Sequence, residues 1–83
     1  MALHEHRIKS VKPLDGFLVE CTYYDGSKRL FDLAGYAERF PFYRPILDDP
    51  SVFQGVTVIL GGDAIAWDDM RDISSEGIYQ GIV

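Results

Sequence analysis

The chain has 83 residues, 47% of them hydrophobic and 13% aromatic, and eight basic residues against thirteen acidic ones leave a net charge of −5. That length excludes two separate cores and predicts a single domain over residues 1–83, while the negative field opposes the phosphate neutralisation from which nucleic-acid affinity largely comes. No apolar run approaches the roughly 18 to 20 residues of a membrane span, and the start Met-Ala-Leu-His-Glu-His-Arg has no signal-peptide core, so neither insertion nor secretion is expected. The lone Cys21 has no cysteine partner within the chain and falls in an apolar alternation. A packed thiol in a reducing, cytoplasmic setting is the expectation.

In chain order, Arg7 to Lys12 is strand-like, with Ile8 and Val11 at an odd spacing that predicts a bulge. Leu14-Asp15-Gly16 makes a turn. Phe17, Val19, Cys21 and Tyr23 then share the core face of a second strand. Asp25-Gly26 is a strong hairpin signal, and Lys28 to Asp32 forms the return strand with Phe31 or Leu30 inward. A three-strand meander results. After it the period changes: Leu33, Tyr36, Ala37 and Phe40 recur at helical spacing, Asp32 is placed as the cap, Gly35 weakens the helix and Pro41 ends it. Phe42 to Leu47 reads as an apolar connector interrupted by Pro45. Asp49-Pro50 repeats the cap-then-proline signature, giving one helical turn before Gly55.

The segment Val56 to Ile73 is the centre of the layout. Two runs rich in β-branched residues flank Gly61-Gly62-Asp63, the composition of a reversal between antiparallel strands. Val56, Val58 and Leu60 are expected on one face of the first strand, Ile65 and Trp67 on one face of the second, with the indole helping to seal the interior. A final helical turn follows, capped by Ser74 or Ser75, with Glu76 in its first turn and Ile78, Tyr79 and Ile82 as contacts. The fold class is therefore α+β: a meander plus a C-terminal hairpin, with two or three short helices.

The order and spacing of Asp25-Gly26, Phe31-Asp32-Leu33, Phe53, Ile65-Ala66-Trp67, Asp72-Ile73 and Tyr79 resemble a bacterial family catalogued as domain of unknown function number twenty-four forty-two. The resemblance runs from Ile8 to Tyr79. It implies a twisted antiparallel sheet with short helices, structural roles for Asp25, Gly26, Asp32, Phe53, Trp67, Asp72 and Tyr79, and no established activity, cofactor or catalytic residue. It also implies a gene neighbourhood similar to toxin–antitoxin pairs, beside another small protein, and in some relatives a fused helix-turn-helix segment not seen in this sequence. One departure stands out: relatives usually carry a Pro-Asn-Gly-like turn after the tryptophan, where this chain has Asp68-Asp69-Met70-Arg71.

No catalytic constellation emerges from the residues. Asp68, Asp69 and Asp72, with Asp63 or Glu76 nearby, have the chemistry to surround a hard cation, but no calcium-loop spacing accompanies them, and a solvated acidic turn is the ordinary reading. His4 and His6 lie on one side of an extended arm, where terminal histidines are ordinarily frayed. Lys28 and Arg29 are edge-strand charges of the kind that block unwanted sheet pairing. The richest run is Tyr36-Ala37-Glu38-Arg39-Phe40-Pro41-Phe42-Tyr43-Arg44, because arginine interleaved with aromatics is an interface composition. The leading expectation is a non-enzymatic interaction or regulatory module, a homodimer or the partner of a neighbouring small protein, binding through Tyr36, Arg39, Phe40, Phe42, Tyr43 and Arg44. The alternative is a small metal- or ligand-binding protein using the acidic turn after Trp67.

Overall fold

Two antiparallel three-stranded sheets face a shared interior in the computed structural model, which describes residues 6–83. The first sheet is the meander β1 (Ile8–Leu14), β2 (Leu18–Tyr23) and β3 (Lys28–Asp32), in that spatial order. The bulge expected near the start of β1 is present as a register shift between Ile8 and Ser10. Val19, Cys21 and Tyr23 are fully buried while their even-numbered neighbours are not, as a half-covered sheet requires. Phe31, not Leu30, turns inward. The first turn, Asp15-Gly16-Phe17, holds Phe17 at φ 60°. That left-handed conformation costs a side-chain-bearing residue about 1 to 2 kcal/mol, and the ring's edge-on contact with Phe53, centroids 5.1 Å apart, offsets it.

Asp32 ends β3 and starts helix α1 (Leu33–Arg39), its carboxylate accepting the Gly35 N–H at 3.1 Å. Gly35 is more than a weak helix former here. A Cβ at that position would stand 2.7 Å from Asp32 Oδ2, inside the cap itself. The expected connector 42–47 is instead helical, comprising a 3₁₀ turn at Pro41–Tyr43 and helix α2 (Arg44–Asp48). Pro45 sits in the first turn of α2, where its missing N–H has no intrahelical acceptor to lose, so it starts a helix and does not interrupt one. Helix α3 (Pro50–Gln54) follows the Asp49 cap as anticipated.

The second sheet is built from β4 (Thr57–Ile59), β5 (Ala64–Ala66) and β6 (Asp72–Ser74), with β5 central. The hairpin is real, Val58 facing Ile65, but the reversal starts one residue before the expected Gly61-Gly62-Asp63: Leu60–Gly62 forms a 3₁₀ turn. Leu60 therefore leaves the inner face and is 70% exposed. Gly62, at φ 104°, admits a close approach by β1, since a Cβ there would lie 2.7 Å from the Ile8 carbonyl oxygen. The third strand, β6, was not signalled by the three-residue run Asp72-Ile73-Ser74. Its pairing with β5 makes β5 the central strand, all three of whose residues are buried. Helix α4 (Ser75–Gln80) is capped by Ser74 and buries Ile78 but leaves Ile82 exposed, contrary to expectation, because Gly81 at φ 73° turns the chain away.

One apolar cluster draws Ile8, Tyr23 and Phe31 from the first sheet, Ile65 and Ile73 from the second, Leu33, Ile46 and Ile78 from helices, and Trp67 just past β5. Trp67 is buried against Phe31, ring centroids 6.3 Å apart. Among the described residues no helix is long and apolar enough to cross a membrane.

Candidate interaction face

Helix α1 sets Tyr36, Arg39 and Phe40 on one side at three- and four-residue spacing. The 3₁₀ turn that follows brings Tyr43 back under Tyr36 and swings Phe42 outward. The result is a connected ladder of rings: Phe31 to Tyr36 at 5.4 Å, Tyr36 to Phe40 at 4.7 Å, Tyr36 to Tyr43 at 5.0 Å, and Tyr43 to Phe42 at 5.4 Å. Phe31 roots the ladder in the core. Phe40 and Phe42, 46% and 50% exposed, are its outer rungs. The Arg39 guanidinium lies 5.6 Å from both the Tyr36 and Phe40 rings, and Arg44 is exposed at the start of α2.

The acidic turn after Trp67 docks onto this ladder, so two features far apart in sequence become one surface. Arg71 stacks 4.6 Å over Phe42 and donates from Nε to the Phe42 carbonyl oxygen at 2.7 Å. Tyr43 Oη donates to the Asp72 carbonyl oxygen at 2.9 Å. Burial pushes the Tyr43 phenol above its ordinary value, helped by nearby Tyr36 and Asp72. Met70, in the same turn, is exposed.

The carboxylates of that turn are engaged locally. Asp68 Oδ1 accepts the Met70 and Arg71 N–H groups at 2.9 and 2.8 Å, and Oδ2 accepts from Arg71 Nη1 at 2.7 Å. These bonds, the Met70 N–H first, hold the Asp68 carboxyl below its usual range. Asp72 contributes its backbone to β6 and to Tyr43. Among the described residues no group of three His, Cys, Asp or Glu is arranged to hold a metal ion. His4 lies outside the described residues. His6 is within them, bonded through Nδ1 to Glu76 at 2.8 Å.

His6 belongs to a second arginine–aromatic cluster on another part of the molecule. The Tyr79 ring is stacked on His6, centroids 3.6 Å apart and planes within 10°, and Arg29 lies 4.2 Å over the same ring. Tyr79 Oη donates to Asp25 Oδ2 at 3.2 Å, tying α4 to the turn between β2 and β3, and Arg29 Nε donates to the Tyr79 carbonyl oxygen at 3.2 Å. Tyr23 lies beneath, edge-on to Tyr79 at 5.0 Å, its hydroxyl donating to the Ser75 carbonyl oxygen at 2.9 Å. Hydrogen bonds from Ser27 lower the Asp25 carboxyl, and Gln80 and then His6 do the same for Glu76.

Of the residues singled out in the sequence, the structure gathers Tyr36, Arg39, Phe40, Phe42 and Tyr43 with the acidic turn, and joins Asp25 to Tyr79. The sequence reading missed Arg71, which anchors the turn to the aromatic run. Its signal was the three-residue offset from Asp68, the spacing of a side chain closing its own turn. The roles of Arg29 and His6 on Tyr79 had no local signal, since 50 or more positions separate them.

The crystal structure of a Nitrosomonas europaea ATCC 19718 protein named "Putative DNA Binding Protein NE0471" is similar to this chain, with a TM-score of 0.74 at 23% identity over 89% of this chain. The match takes in 46% of that protein, so this chain corresponds to under half of its length, and the likeness is one of fold. No curated protein matches the chain. The model of the family described as "Protein of unknown function (DUF2442)" matches residues 8–83, and the chain belongs to that family.

Proposed function

We propose that the chain is a non-enzymatic interaction module whose face around Arg39, Phe40, Phe42 and Arg71 takes up a protein partner. The observation that carries this reading is the ladder from Phe31 to Phe42. Exposed aromatic rings are common, but here the outer two are held in place by inner rings seated on the core, so little side-chain freedom remains to be lost on binding. Arginines stacked on the same rings supply donors at the rim of an apolar centre, the composition of a binding hot spot. A neighbouring small protein, in an arrangement similar to toxin–antitoxin pairs, is the partner that the family context favours. The net charge of −5 opposes contact with a phosphate backbone, so the DNA binding in the Nitrosomonas protein's name is not carried over.

The test is recovery of partners from the protein's own host with the wild type and a Phe40→Ser/Phe42→Ser variant as paired baits. A protein retained by the wild type and lost with the equally folded variant supports the reading. A set of retained proteins identical for both baits would refute it.

A further inference from the structure

Strand β3 is an edge of the first sheet, and its outward side has a definite polarity. The Tyr23 N–H donates to the Ser27 carbonyl and the Leu33 N–H to the Phe17 carbonyl, at the two ends of the β2–β3 ladder. Between them the register pairs Val19 with Phe31 and Cys21 with Arg29. Because hydrogen-bonded pairs alternate along an antiparallel ladder, the odd residues bond to β2, and Lys28, Leu30 and Asp32 direct their N–H and C=O groups away from it; the Lys28 carbonyl accepts from Arg29 Nη1 at 2.9 Å and Asp32 caps α1, so Leu30 is the residue whose N–H and C=O both stay open. The side chains of those same three residues are exposed, Leu30 at 61%. An open groove of about 410 Å³ runs beside them, lined by Leu30, Asp32, Arg39, Ile78 and Val83 among others.

From this we infer that β3 pairs with β3 of a second copy of the chain, antiparallel and two-fold symmetric about Leu30. The charge pattern selects that occupant and that register. Centred on Leu30, the pairing sets Lys28 of each copy against Asp32 of the other and Leu30 against Leu30, all on the exposed face, where opposed charges and apolar pairs stabilise a sheet. A shift of two residues in either direction sets Leu30 against a charged side chain and undoes both ion pairs. Lys28, which taken alone reads as a guard against edge pairing, thereby becomes the residue that permits one pairing and penalises others. The two Leu30 residues exchange N–H···O=C bonds, joining two three-stranded meanders into one six-stranded sheet. This surface adjoins the aromatic face, sharing Tyr36 and Arg39 along the groove, but the pairing uses neither Phe40 nor Phe42.

Sedimentation equilibrium of the full chain from micromolar to millimolar concentration tests the pairing. The wild type is expected to dimerise with concentration, and Lys28→Glu to raise the dimer dissociation constant roughly tenfold, since two attractions become two repulsions. Oxidative cross-linking reads the register. Leu30→Cys places two thiols on residues whose Cα atoms are about 5.5 Å apart across the pair, within disulfide range, whereas Lys28→Cys leaves them about 14 Å apart. Cys21, fully buried, does not compete. Rapid linking of Leu30→Cys and not of Lys28→Cys supports the inference. A strict monomer at millimolar concentration, equal linking of both variants, or a dimer abolished by Phe40→Ser/Phe42→Ser and untouched by Lys28→Glu would overturn it.

Discussion

Among the described residues, two arginine–aromatic clusters are made from nearly the same parts, and they do opposite things. Around Tyr79 the ring is closed in: His6 on one face, Arg29 on the other, Tyr23 at its edge and Asp25 on its hydroxyl. Those contacts join β2, β3, α4 and the residues before β1, so the cluster holds the fold together. Around Phe40 and Phe42 the same kinds of contact stop halfway. Arg39 and Arg71 lie against Phe40 and Phe42, Tyr36 and Tyr43 pack on the same two rings, and about half of each ring stays exposed. The comparison teaches that stacking alone does not distinguish a structural ring from a binding one. What distinguishes them is how far the partners enclose the ring, since Phe42 too has a partner, Arg71, from a distant element and yet stays 50% exposed.

The comparison can be broken first at the core both clusters lean on. Trp67→Ala removes a buried indole and is expected to cost about 3 to 5 kcal/mol, enough to unfold a domain of this size. Urea unfolding measures the loss, and a cost below 1 kcal/mol would mean the indole does not seal the interior. Arg71→Ala frees the acidic turn from Phe42 and is expected to cost about 1 to 2 kcal/mol, with faster amide exchange at residues 68–71 as its local signature. Tyr79→Phe leaves the ring stacked but removes the bond to Asp25, at about 0.5 to 1 kcal/mol; thermal unfolding resolves it from wild type.

Acid sharpens the contrast further. Asp25, Asp49, Asp68 and Glu76 all have carboxyls lowered in the folded state by hydrogen bonds. A depressed folded-state pKa contributes stability above the unfolded value that disappears as pH falls through the folded one, so stability should decline once pH drops below about 4. Replacing Asp25 by Asn should flatten part of that decline. A denaturation midpoint constant down to pH 2 would show that these bonds contribute nothing. At the other extreme, burial pushes the Cys21 thiol up to about 12. A thiol reagent at pH 8 should therefore label it only as fast as the chain unfolds.

The meander was legible because its turns carry strong local chemistry and its core face keeps a strict alternation; Asp25-Gly26 and the run from Val19 to Tyr23 leave little choice, although Phe17, expected to open that strand, belongs to the turn before it. The cap residues Asp32 and Asp49 were legible for the same reason. Strand β6 was not, because three residues with one apolar side chain make a strand only when β5 is there to pair with. Helix α2 was missed because Pro45 stops a helix that precedes it and starts one that follows it, and sequence alone does not say which. The aromatic run showed itself by composition, whereas its anchor did not, since the Arg71 contact with Phe42 spans 29 positions.

The decisive measurement sets the two clusters side by side: urea unfolding of Tyr79→Ala and of Phe40→Ser/Phe42→Ser against wild type. The account predicts that the single substitution lowers the unfolding free energy by about 2 to 3 kcal/mol while the double one stays within about 0.5 kcal/mol per site. Equal losses, or a larger loss at the phenylalanines, would contradict it, because those rings would then be holding the fold and would not be free to meet a partner.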